Sequence, residues 1–225
     1  MTQLKTVNIS KAAAGLKSPF SMAHVATVGD LVVSIYICQG TLEWHRHLDT
    51  DELFWVHQGA ILLESEWGEV RLRPGELTVV PKGVGHRSSS DVRSSVLLMR
   101  GGPFSERKNG RRRIYAVTGE AKLKHVSPAG IVRTLTMPFQ FRTVARVDNS
   151  CVQVGWGDGI WSVDAPAAHD VLLLVESGTA TVRTDQSMAH LHPGDLTVVP
   201  EGALYQLSTT RGTSLVRVVS ERGAG

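Results

Sequence analysis

Short apolar runs rich in β-branched and aromatic residues recur along the chain, five to eight residues at a time, each broken by Gly, Pro, Asp or Ser. In the first half they are LVVSIYIC (31–38), ELFWVH (52–57), AILLES (60–65), EVRLR (69–73), LTVVP (77–81) and SVLLMR (95–100). The second half continues with CVQVGW (151–156), VLLLVES (171–177), TATVRT (179–184), LTVVP (196–200) and SLVRVV (214–219). Runs of this length and composition predict β-strands. Residues 12–16 could turn once as a helix, and no long amphipathic pattern follows. Many short strands without helices predict an all-β sandwich or barrel.

The pattern repeats. RLRPGELTVVPKGVGH (71–86) and HLHPGDLTVVPEGALY (190–205) are versions of one sentence, separated by 119 positions. The same shift pairs Gly40 with Gly159, Gly59 with Gly178, and Leu4-Lys5 with Leu123-Lys124. A constant shift over most of each half implies two domains of like architecture, expected at 1–104 and 105–225. The polar, turn-rich GGPFSERKNG segment places the linker at about 101–112.

Candidate chemistry lies in 40–90. His45 and His47 are separated by one residue, so on an extended strand both imidazoles face the same way. Glu52 follows a short turn (LDTD), and His86 comes after the later strands, its approach punctuated by Pro81, Gly83 and Gly85. Three imidazoles and a carboxylate suit a divalent first-row metal with positions left open for water or substrate. Gly59 ends the run that Glu52 begins, where a hairpin turn calls for positive φ.

These residues resemble the two motifs of the cupin superfamily, small β-barrels that usually hold one divalent metal. Gly40, His45, His47, Glu52 and Gly59 match the first motif, with the Gly40–His45 gap one residue shorter than usual. Gly75, Pro81, Gly83 and His86 match the second, and Ser90 stands where an Asn is common. With the repeat, the chain looks like a bicupin: two tandem cupin (double-stranded β-helix, jelly-roll) barrels. Carrying the ligands forward by 119 gives Asp164, Pro166, Val171 and Tyr205, so the second barrel is expected to be degenerate and metal-free. The resemblance implies a mononuclear site of His45, His47, Glu52 and His86 holding iron, manganese, nickel, cobalt or zinc. It also implies that Glu52 could act as a catalytic base.

Strand alternation suggests Tyr36, Phe54, Val56 and Ser88 for the substrate pocket, with Arg100, Glu43 and Glu64 as candidate acid–base or charged groups. The expected function is a metal-dependent enzyme acting on a small oxygenated metabolite, first a dioxygenase. An oxygen-independent isomerase or lyase and a non-catalytic small-ligand binder are the alternatives. Dimers are frequent in the family, so a homodimer fits the resemblance.

Composition narrows the partners. The net charge is +3 and the densest basic run, Arg111 to Arg113, has no aromatic platform nearby, so nucleic acid is not expected. No apolar run is long enough to span a bilayer, and MTQLKTVNIS lacks the core of a signal peptide, which makes cytoplasm the expected location. Cys38 and Cys151 form no CxxC motif and read as buried strand residues. His190 and His192 align with Arg71 and Arg73 and read as a solvated edge. His57 has the wrong parity to join Glu52.

Overall fold

The computed structural model describes residues 3–102, 107–109, 122–163 and 165–220. Among these residues the strands form two sheets, of nine and eight strands, with antiparallel pairing. Two short helices, Ile9–Gly15 and Pro128–Val132, stand at the same 119-residue shift. The expected linker lies partly outside the described residues, the Arg111–Arg113 run included. Within it, strand Arg107–Asn109 pairs with His45–His47.

The repeat in sequence is a repeat in structure. Strands Glu52–Gln58, Ile61–Ser65 and His86–Gly101 correspond to Val171–Ser177, Ala180–Thr184 and Tyr205–Ser220. Registers correspond as well: Glu52 faces Arg100 as Val171 faces Val219. Even the irregularities return, with a register shift between Cys38 and Gly40 and another between Gly157 and Gly159.

Contacts divide the chain into two compact units. One, the first barrel, comprises Ala13–His24 and Asp30–Ser127; the other, the second barrel, comprises Met1–Ala12, Val25–Gly29 and Pro128–Gly225. These contact units differ from the sequence halves 1–104 and 105–225 in where residues 1–12, 25–29 and 105–127 belong. In the second barrel Val7 pairs with Leu196 and Asn8 with Asp195, the Ile9 N–H donates to the Gly194 carbonyl at 2.8 Å, and Leu4 enters the core. In the first barrel Val126 bridges Leu77 through two backbone hydrogen bonds of 2.9 and 3.0 Å. The lead-in segment of each repeat thus completes the barrel built from the other. A short strand needs an edge to pair with, and its own pattern does not say which of two near-identical LTVV edges will take it.

Each barrel has its own apolar core. Ile61, Leu63, Leu72 and Val96 are almost wholly buried in the first, and Leu173, Val182, Leu207 and Leu215 in the second. Burying each such side chain is worth about 1.5–3 kcal/mol, which is what holds the sheets closed. Gly59 adopts φ +80, and a Cβ there would lie 2.9 Å from Ser94 Cα. The close approach lets Ser94 Oγ bond both the N–H and the carbonyl of Ala60 at 3.0 Å. Gly178 and Thr213 repeat the arrangement. Among the described residues no helix is long and apolar enough to cross a membrane.

Candidate metal centre

The short strand His45–His47 presents both imidazoles to the interior of the first barrel. The turn that follows is tied down: the Gly101 N–H donates to Thr50 Oγ1 at 2.7 Å and the Lys82 N–H to Asp51 Oδ1 at 3.0 Å. Glu52 opens the next strand. His86 opens the strand that pairs with it, directly opposite His45. All four side chains are buried, and one ligand atom from each falls within 4.8 Å of the others.

Hydrogen bonds orient the rings. The Glu43 carbonyl lies 3.0 Å from His45 Nδ1, and the Val84 carbonyl lies 3.0 Å from His86 Nδ1. A carbonyl can only accept, so these Nδ1 atoms carry the protons and Nε2 is turned to the interior. His86 Nε2 then meets Glu52 Oε2 at 3.0 Å, with His47 Nε2 at 3.5 Å. A neutral His86 has one N–H and two acceptors to satisfy, so its second contact calls for an added proton or a bound cation. The donor set, nitrogen and carboxylate oxygen in a buried cluster, fits a divalent transition metal. Burial alone would push the Glu52 carboxyl up; the His86 hydrogen bond and the charges of His86, His47 and His45 outweigh it and hold the carboxyl at about 2.

A cavity of ≈ 140 Å³ opens beside the cluster. Of the expected pocket residues, Tyr36, Phe54 and Arg100 line it, and Val56 and Ser88 do not. Val56 is packed in the apolar core. Ser88 Oγ is engaged by the Tyr36 hydroxyl at 3.0 Å, and burial pushes that phenol far up. Arg100 Nη1 stands 3.8 Å from Glu52 Oε1. Glu43 is exposed, and Glu64 is held by Arg87 in a two-pronged ion pair of 2.6 and 2.9 Å, so neither carboxylate lines the cavity. Phe20, Met22, Leu42 and Leu98 complete the wall. Leu98 could have been found by its parity with Arg100; Phe20, Met22 and Leu42 stand outside the predicted runs. Ser90 bonds the Ala60 carbonyl at 2.6 Å and takes no part.

The comparisons with known proteins agree with this geometry. The Cupin domain family model, Cupin_2, matches residues 34–98, which hold all four donors and most of the cavity wall. The protein YdbB of Bacillus subtilis is 32% identical over 91 residues, covering 40% of this chain and 80% of that protein. The chain belongs to the cupin family.

Further similarities are more partial or weaker. "Putative dioxygenase SSO1533" of Saccharolobus solfataricus is 31% identical over 58 residues, 26% of this chain and only 15% of that protein. Among solved structures, a cupin 2 conserved barrel domain protein from Leptotrichia buccalis superposes with a TM-score of 0.73 at 10% identity, covering 98% of each chain. Salicylate 1,2-dioxygenase from Pseudaminobacter salicylatoxidans gives 0.77 at 12% identity, covering 96% of this chain and 83% of that one. At these identities the likeness is one of fold.

The second cupin barrel lacks the donors. Pro166, Val171 and Tyr205 stand where His47, Glu52 and His86 stand in the first; Asp164, in the place of His45, lies outside the described residues. His190 and His192 are exposed, as their alignment with Arg71 and Arg73 implied. His57 stays out of the donor cluster. Both cysteines are buried and free.

Proposed function

We propose that the first barrel is the active site of a metal-dependent enzyme acting on a small oxygenated metabolite, with dioxygenation as its reaction. His45, His47, Glu52 and His86 hold one divalent transition metal. Such an ion supplies dioxygen activation when redox-active and Lewis-acid polarisation otherwise. The observation that carries the reading is the convergence of four buried donors, of which His45, His47 and Glu52 line a cavity whose wall is otherwise mostly apolar and includes the cation Arg100.

The chain's own side chains define what fits. A cavity of ≈ 140 Å³ is close to one that admits benzene, about 150 Å³, so a one-ring or short-chain molecule is the upper limit. Arg100 offers its guanidinium to a carboxylate or enolate oxygen. Phe54, Leu42 and Leu98 keep water away, which strengthens that contact. Glu52 divides its oxygens: Oε2 faces His86 and His47, and Oε1 faces Arg100. The carboxylate can thereby serve the metal at one oxygen and accept a substrate proton at the other. Neighbouring structures are named for salicylate and include complexes with gentisate; an acid of that size is the substrate class we propose here.

Metal analysis of the wild-type protein beside His47→Ala, followed by oxygen uptake with a panel of one-ring acids, tests the reading. The expected result is about one equivalent of a redox-active metal, lost in the variant, with oxygen consumed by the wild type. Bound zinc without oxygen uptake would shift the assignment to an isomerase or lyase. Failure to take up metal after reconstitution would leave a small-ligand binder in place of an enzyme.

A further inference from the structure

Arg46 lies between the two histidines of strand His45–His47, so alternation sends its side chain away from the metal cluster. A charged side chain on that face would ordinarily reach water, yet Arg46 is 2% exposed and among the largest fully buried side chains of the protein. Its Nη2 is 3.3 Å from Glu66 Oε1, and its Nη1 donates to the Gly83 carbonyl at 3.3 Å. Glu66 Oε2 in turn accepts the Gly85 N–H at 3.0 Å, while the Glu66 N–H donates to the Gly85 carbonyl at 3.0 Å. The Gly83 N–H donates to the His47 carbonyl at 2.6 Å. The pair thus closes a loop of contacts from the backbone of His47, through Gly83 and Gly85, to the residue immediately before His86.

We propose that the Arg46–Glu66 pair is a positioning device that fixes strand His45–His47 against the segment carrying His86, and so sets the geometry of the metal donors. The inference rests on the metal reading above. Burying an ion pair is costly, and well-packed apolar residues in its place are often as stable or more so; stability alone therefore does not explain it. Two further observations support a role tied to the donors. A Cβ on Gly85 would come within 3.1 Å of Glu66 Cδ and 3.2 Å of Arg46 Nη2, so the glycine is shaped around the pair. In the second barrel, which lacks the donor set, Arg46, Glu66 and Gly85 are replaced by Ala165, Asp185 and Leu204, although Gly83 persists as Gly202.

The test is a cobalt(II) titration of the full chain and of Arg46→Met, Arg46→Lys and Glu66→Gln, reading the Kd by chelator competition, the visible absorption spectrum of bound cobalt, and thermal unfolding without metal. We expect Arg46→Met to stay folded, to bind cobalt 10–100-fold more weakly, and to show an altered cobalt spectrum. Arg46→Lys should recover part of both. A folded Arg46→Met with the parent Kd and spectrum overturns the positioning role. If Arg46→Met does not fold, Glu66→Gln decides: weaker binding with a changed spectrum supports the role, and parental values overturn it. A parent chain that binds no cobalt overturns the metal reading itself, which separates the two failures.

Discussion

The two barrels share a scaffold and differ in what fills it. At matching positions the first has Phe20, Met22, Leu42, His86 and Leu98 around its cavity and metal cluster, and the second has Phe139, Phe141, Trp161, Tyr205 and Arg217. In the second, Trp161 stacks on Phe139 at 5.8 Å and meets Tyr205 edge-on at 6.1 Å. The Arg217 guanidinium lies 4.3 Å from the Phe141 ring centre and donates to Gln153 Oε1 at 2.9 Å. Side chains as large or larger, one of them a half-buried cation, occupy the positions that surround the cavity and donor cluster in the first barrel. Strand pairing is a matter of backbone and alternate apolar positions, so it tolerates this replacement; coordination needs particular atoms at particular places and does not. A fold can outlive its site because the two rest on different physics.

Several measurements would break or sharpen that comparison. The largest effect concerns metal uptake, which should be confined to the first barrel at one equivalent and should depend steeply on pH. Imidazoles bind metal only when neutral, so affinity falls as the solution is made more acid. Glu52, held at about 2, stays ionised throughout and adds nothing to the fall. Cobalt titrations at pH 7.5, 6.5 and 5.5 should show a loss of at least tenfold per pH unit at the acid end; a second equivalent bound would end the contrast between the barrels.

Deleting residues 1–8 should strike the second barrel. It removes Leu4 from the core, the strand opposite Leu196, and the hydrogen bond from Thr197 Oγ1 to the Lys5 carbonyl, a loss of about 3 kcal/mol or more from apolar burial and hydrogen bonds together. Hydrogen exchange should quicken in strand Asp195–Val199. Unchanged protection there would refute the exchange of lead-in segments.

Gly59→Ala and Gly178→Ala should cost about 1–3 kcal/mol each in denaturant unfolding, because both positions have φ +80 and leave no room for a Cβ. Nearly equal losses would confirm that the scaffold is built alike on both sides. The smallest effect is expected from Arg217→Leu, which copies Leu98 into the second barrel. Losing a cation–π contact and a hydrogen bond should cost about 1–2 kcal/mol, without conferring metal binding.

Much of this was legible in the residues. The strands, the repeat and the four donors could be read because each depends on local pattern: alternation, turn residues, and ligand types at short spacing. His45 and His47 share a face by parity alone, and Gly59 marks its turn by the absence of a Cβ. The pocket wall was half legible. Tyr36 and Phe54 follow from alternation and Arg100 from its charge, whereas Val56 shares the parity of Phe54 and lies in the core.

By itself, then, the sequence determined an all-β bicupin plan with one complete donor set, since periodicity and residue chemistry are carried along the chain. Only the tertiary structure decided that the segment before each repeat completes the barrel of the other, that Arg46 is buried against Glu66, and that Phe20 and Met22 wall the cavity. Those outcomes depend on which surfaces meet across long stretches of chain. Near-identical edges compete for the same short strand, and a charged side chain is buried only when distant residues bring it a carboxylate and a carbonyl.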